Sequence, residues 1–122
     1  MTDIQRSHVG KRLSEIAEYN GVIYLAGQIA DDVEQDMRGQ TAQVLACVDR
    51  LLAEKGSDKS RILQCQIYIS DMSLFSQMNE VWDAWVAPGN TPPRATVQAQ
   101  LASPKKLIEV VVTAASAPRK TA

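Results

Sequence analysis

The chain has 122 residues, with 13 Lys+Arg against 14 Asp+Glu, so its formal net charge is −1. That length predicts one domain over residues 1–122, with a core that needs neither disulfide nor metal. A near-neutral chain that is 45% hydrophobic lacks both the basic footprint of a nucleic-acid binder and the polarity of a disordered segment. No apolar run approaches the ~18 residues of a membrane span. Met1-Thr2-Asp3-Ile4-Gln5 carries neither the basic nor the apolar region of a secretory signal, which predicts a cytoplasmic protein without a membrane partner.

Residues 4–9 read as a frayed extra strand, and residues 14–19 as the first firm one. Asn20-Gly21 follows, then a second strand over residues 22–26. Asn-Gly between two β-prone runs predicts a type I′ hairpin, because that turn needs φ > 0 twice. After the charged stretch 31–36, Met37, Val44, Leu45, Val48, Leu51 and Leu52 recur at helical spacing. They predict a helix over residues 35–55, with Asp36 as its N-cap and Gly56 as its stop.

Residues 61–70 change to period two. Leu63, Cys65, Ile67 and Ile69 are predicted on one face, with Ile62, Gln64, Gln66 and Tyr68 on the other. A second helix over residues 74–86 carries the stripe Phe75, Met78, Val81, Trp82 and Trp85. The Pro88-to-Pro93 segment ends it. A strand over residues 94–101 alternates Ala95, Val97, Ala99 and Leu101 with Arg94, Thr96, Gln98 and Gln100. After a turn at 103–106, residues 107–115 are almost wholly apolar and should be buried on both faces. The last two strands are expected to pair as a hairpin around that turn. Residues 118–122 read as a loose tail.

The order β-β-α-β-α-β-β predicts an α+β layer, a mixed sheet with two helices on one face. The uncovered face would present Gln64, Gln66 and Tyr68 beside Thr96, Gln98 and Gln100. Such a large semi-polar face commonly meets a copy of itself.

The residues exclude much familiar chemistry. There is one histidine, His8, and no G-x-S-x-G elbow. Cys47 and Cys65 form no CxxC pair and read as buried, inert thiols. No GxGxxG or GxxxxGK[ST] loop occurs. Chemistry is left to carboxylates, Arg and backbone. Glu109 stands out inside Leu107-Ile108-Glu109-Val110-Val111-Val112, where a carboxylate is costly unless paired or placed at a cleft. Its alternative is a solvated edge glutamate. Arg94 directly follows Pro92-Pro93. It reads either as a surface arginine or as a planar fork for a carboxylate. In the expected hairpin Glu109 is several residues out of register with it, so the two would not be cross-strand partners, but they could approach from different subunits.

Taken together, these pieces resemble a known family. Val22-Ile23-Tyr24-Leu25-Ala26-Gly27-Gln28-Ile29 is similar to the (I/V)-x-x-S-G-Q-(I/V) strand of the Rid/YjgF imine/enamine deaminases, also described as endoribonuclease L-PSP-like. Gln40-Thr41-Ala42-Gln43-Val44-Leu45, Ile67-Tyr68-Ile69-Ser70-Asp71-Met72 and Met78-Asn79-Glu80-Val81-Trp82 follow in the family's order and spacing. Pro93-Arg94-Ala95-Thr96-Val97 and Leu107-Ile108-Glu109-Val110 complete the set. The resemblance spans nearly the whole chain and is greatest to the YoaB-like branch.

The resemblance implies a chorismate-mutase-like α+β fold, a homotrimer with intersubunit sites, and cofactor-independent hydrolysis of 2-imino acids to 2-keto acids and ammonia. It implies no metal. Arg94 matches the arginine that clamps the substrate carboxylate, and Glu109 the acid that positions water. Gly27, Asn79 and Thr96 match substrate-binding positions, Thr96 through its backbone. The chain departs from the family at Thr96, where cysteine is common, at Ala26 for a serine, and at Leu13 near a site tyrosine. Those departures keep open a non-catalytic module that binds small keto or imino acids. A ribonuclease or translation inhibitor is the third reading, disfavoured by the charge.

Overall fold

The sheet is a single mixed layer. The computed structural model describes residues 3–118, so the tail expected at 118–122 lies outside the described residues except for Pro118. Strands β1 (Gln5–Val9), β2 (Ser14–Tyr19), β3 (Val22–Leu25) and β4 (Gln28–Ile29) precede helix α1 (Met37–Glu54). Strand β5 (Ile62–Ile69), helix α2 (Phe75–Trp85), β6 (Arg94–Gln98) and β7 (Ile108–Ala115) follow. The strand order is β1-β2-β3-β7-β5-β6, with β4 also on β7.

Local chemistry explains most boundaries. Asn20 and Gly21 take φ of 50° and 80°, as the hairpin turn requires. Asp36 caps α1 by accepting from Gly39 N at 2.9 Å. Gly56 adopts φ of 70° just beyond the helix end. Asp71 caps a short 3₁₀ turn, Met72–Leu74, that leads into α2. The strand at the N-terminus is present, and His8 ties it to α1 through a 2.7 Å contact with Glu54. The two-residue β4 was not anticipated. It is too short to carry a period.

Both helices lie on one face, over Ile16, Ile23, Cys65, Ile67, Ile69, Ile108, Val110, Val112 and Ala114. Strand β7 alternates fully buried and half-buried residues, so only its helix-side face is dry. The expectation of burial on both faces is corrected to that extent. The other face of the sheet carries Tyr19, Tyr24 and Val97 exposed.

Three expectations about the strands fail, each for a physical reason. Ile62 is buried and Leu63 is 49% exposed, because the β5–β7 register shifts between Ile62 and Gln64 and reverses the alternation there. The β6–β7 hairpin does not form. Strand β6 instead pairs parallel to β5, as a β-α-β crossover through α2 delivers it, while β7 inserts between β5 and β3. That pairing also sets the phase of β6. Arg94, Thr96 and Gln98 share the helix-side face with Cys65, Ile67 and Ile69, and Ala95 and Val97 join Gln66 and Tyr68 on the open face. The open face is therefore more apolar than the sequence alternation suggests.

Gln40 locks the loops to this frame. It is fully buried. Its amide nitrogen lies 3.2 Å from Val33 O, 3.0 Å from Gln35 O and 2.9 Å from Lys105 O, three acceptors that share its two N–H groups, and its carbonyl accepts from Leu107 N at 2.9 Å. Replacing it with leucine keeps the volume but orphans these partners. Gln40→Leu is expected to cost about 2–4 kcal/mol, since each buried unpaired group costs about 1–3 kcal/mol and part of the loss relaxes into water. Urea denaturation at matched protein concentration measures it.

Candidate active site

Arg94 opens β6 at the edge of the sheet, and its side chain lies toward α2. The guanidinium sits 5.0 Å from the Trp82 ring centroid and 5.8 Å from that of Phe75. Its Nη1 donates to Asn79 Oδ1 at 2.8 Å. Phe75, Asn79 and Trp82 stand at i, i+4 and i+7 of α2, so one helix face supplies the whole cradle. Stacking and one neutral hydrogen bond orient the cation without neutralising it. Among the described residues no carboxylate pairs with it. The rest of the fork remains available for a planar anion.

The platform role of Phe75 and Trp82 was missed from sequence, where both read only as core. The signal was present in the helical spacing of two aromatics around an asparagine.

Thr96 lies two residues on, on the same face. Backbone bonds from Cys65 N to Pro93 O and from Ala99 N to Ile69 O direct alternate β6 groups at β5. The backbone groups of Arg94, Thr96 and Gln98 thus point to the free edge. Gln98 spends its side chain within the chain, accepting from Met72 N at 2.7 Å.

Glu109 and Gly27 form a second group. Glu109 pairs across from Tyr68 of β5 and Ile29 of β4, on the open face. It is half-buried, and among the described residues no cation pairs with it. Its side chain folds over Gly27. A Cβ built on Gly27 would fall 2.9 Å from Glu109 Cδ and 3.1 Å from Cγ. Glycine is needed here for close approach rather than for an unusual backbone angle.

The structure thus brings Arg94, Asn79 and Thr96 together, and separately Gly27 and Glu109. It does not join the two groups. They occupy opposite faces of the sheet, with β5 between β6 and β7. One cavity, about 510 Å³, lies at the carboxyl ends of β5 and β6, lined by Ser70 and residues 98–104 rather than by either group. A second, about 310 Å³, is a groove between α1 and α2 beside Trp85. Trp85 donates to Asp49 Oδ2 at 2.9 Å and packs beneath Lys59, as a surface packing residue does.

Cys47 and Cys65 are buried free thiols. Burial pushes the Cys65 thiol up from 9.0 to about 12, against a smaller opposing pull from Arg94. Ala26 N donates to Glu15 O at 2.9 Å. Leu13 is 57% exposed just before β2.

The chain matches the family described as "Endoribonuclease L-PSP" over residues 4–116. It is 48% identical to a RutC family protein of Haemophilus ducreyi over 92% of this chain and 96% of that one. It is 39% identical to the RutC family protein YoaB of Escherichia coli, over 92% and 97% of the respective chains. Among solved structures, a YjgF family protein of Neisseria meningitidis superposes with TM-score 0.93 at 45% identity, covering 97% of this chain and 98% of that chain. A Rid family protein of Yersinia pestis, described as of unknown function, matches at TM-score 0.82 and 30% identity, over 88% and 90%.

The buried thiol carries a prediction. Iodoacetamide at about pH 8 should leave Cys65 unmodified in the folded protein and label it promptly in denaturant. Because the folded thiol titrates higher than the unfolded one, the stability from its neutral burial is full below 9.0 and falls as pH rises toward about 12. Mass spectrometry and denaturation curves across that range check both.

Proposed function

The chain belongs to the endoribonuclease L-PSP family, the Rid/YjgF proteins, and from that premise we propose that it hydrolyses reactive 2-imino acids to 2-keto acids and ammonia. The observation that carries this reading is Arg94. A half-buried guanidinium, held by Asn79 and two aromatic rings yet unpaired by any described carboxylate, is suited to clamp a ligand carboxylate. The natural ligand is a small 2-imino or 2-keto acid.

The chemistry needs little else. An imine carbon is already electrophilic. Arg94 fixes the substrate by its carboxylate, which converts encounter into orientation. Glu109 takes a proton from water as the oxygen adds to C2. It returns that proton to nitrogen to give the neutral tetrahedral adduct, then relays the adduct's hydroxyl proton to nitrogen as the C–N bond breaks and the C2 carbonyl forms. One water is consumed, and one 2-keto acid and one ammonia leave. Thr96 and Gly27 contribute backbone contacts. Neither metal nor cofactor enters this scheme.

The two groups of residues meet only if a neighbour's Glu109 and Gly27 face Arg94, Asn79 and Thr96. A homotrimer in which the open face is covered supplies that neighbour. The exposed Tyr24 and Val97 on this face favour such an assembly. Cytoplasmic location and the absence of nucleic-acid partners belong to the same reading. Arg38 and Lys105 pair with Glu80 and Glu34, and a formal net charge of −1 leaves no excess of positive charge to draw RNA. A binding module without catalysis is the alternative favoured by Leu13 and Ala26.

Light scattering at micromolar concentration should give about three times 13.4 kDa. A monomer would sink both the assembly and the shared site. Arg94→Ala should abolish binding of 2-keto acids while the protein stays folded, and Arg94→Lys should rescue it poorly for want of the planar fork. Glu109→Gln should retain binding and slow decay of freshly generated 2-iminopropanoate by at least about 10²-fold. An unchanged rate would select the binding-module reading.

A further inference from the structure

Among the described residues, Thr96 Oγ1 is the one buried side-chain oxygen or nitrogen without a hydrogen-bond partner. In its row of the sheet the adjacent residue on β5 is Ile67, which is fully buried and apolar. On its own strand the residues sharing its face are Arg94 and Gln98. Arg94 is committed to Asn79 through Nη1, and Gln98 to the backbone of Met72. Neither side chain bonds the Thr96 hydroxyl, although Arg94 keeps guanidinium donors free.

Strand preference does not account for this residue. Valine has the same shape, favours strands equally and would suit contact with Ile67 without burying an unsatisfied hydroxyl. An orphaned hydroxyl two residues from an unneutralised arginine, on the same face, is a feature that a ligand would complete.

We propose that the Thr96 side-chain hydroxyl is a ligand-binding group of the Arg94 half-site, donating a hydrogen bond to the carboxylate that the guanidinium clamps. This rests on the carboxylate-clamp reading of Arg94, and adds a side-chain contact where that reading uses only the Thr96 backbone. A carboxylate has lone pairs enough for both the guanidinium fork and a hydroxyl donor. The hydroxyl is sealed in the ligand-free chain. Its neighbours on that face of the edge strand are a half-buried Arg94 and an exposed Gln98, and binding requires that a side-chain rotation there lets an anion reach the hydroxyl. The contact selects for a carboxylate over a neutral group of the same size, because only the charged oxygen makes the bond strong.

The test is binding of pyruvate by isothermal calorimetry, with the melting temperature measured on the same samples. Wild type is expected to bind. Thr96→Val should melt at or above wild type and bind pyruvate about 10- to 100-fold more weakly, the range for a lost hydrogen bond to a charged group. Thr96→Ser should restore affinity. If Thr96→Val does not fold, Thr96→Cys carries the same expected weakening, since a thiol is a poor donor. Binding by the folded variant within about 2-fold of wild type overturns the proposal. So does weakening that tracks a lowered melting temperature and is not rescued by serine, which marks a packing defect. Failure of wild type itself to bind any 2-keto acid overturns the carboxylate-clamp reading, and this proposal with it.

Discussion

Strand β7 is hydrogen-bonded along both of its edges, to β5 on one side and to β3 and β4 on the other. That double pairing fixes which residues of the molecule can meet. It presents Ile108, Val110, Val112 and Ala114 to the helices as a continuous dry row. It also obliges Glu109, by the strict alternation of a strand, to stand on the face that the helices leave bare. The acid in this apolar run is thus on the uncovered side of an otherwise buried strand. Its carboxylate has room only because Gly27, arriving just before β4, lacks a side chain.

Arg94 obeys the opposite constraint. It begins an edge strand that the α2 crossover brings in parallel to β5, and the register with Cys65 turns it toward the helix layer. There α2 offers an aromatic platform and an amide. The sheet itself separates the cation from the acid. A fold with its cation on one face of a layer and its acid on the other can combine them only by stacking copies. The bare face and the free edge of β6 are the surfaces on which that happens in the trimer proposed above.

Much of this was legible in the residues. Asn20-Gly21, the Asp36 cap and the stripe from Met37 to Leu52 are local signals, each decided by a few neighbouring side chains, and each is realised. Arg94 and Glu109 stood out because a proline-led cation and an acid in an apolar run are locally anomalous. What was illegible is pairing. Nothing in residues 94–107 distinguishes a hairpin from a parallel strand followed by a long return, because the turn chemistry at Ser103-Pro104 serves either. The face of Thr96 and Gln98 follows from partner choice rather than from their own alternation, so that error came with the first. The reversed burial of Ile62 and Leu63 has the same origin, as a register shift belongs to two strands and not to one sequence. The cradle of Arg94 was hidden differently. Phe75 and Trp82 satisfy a core pattern and a cation platform at once, and hydrophobic spacing reports only the first.

The placement of β7 also bears on how the molecule is made. The strand at the centre of the sheet is synthesised after every other described element, and its pairs with β3, such as Ala115 with Val22, lie far apart in sequence. Until it leaves the ribosome, β3 and β5 each expose an unpaired edge, and the row of the core that Val110 and Val112 supply is missing. Such late, long-range pairing makes closure of the fold slow and leaves a translating chain open to strand exchange with its neighbours. A chain built this way closes its sheet only when its last strand arrives.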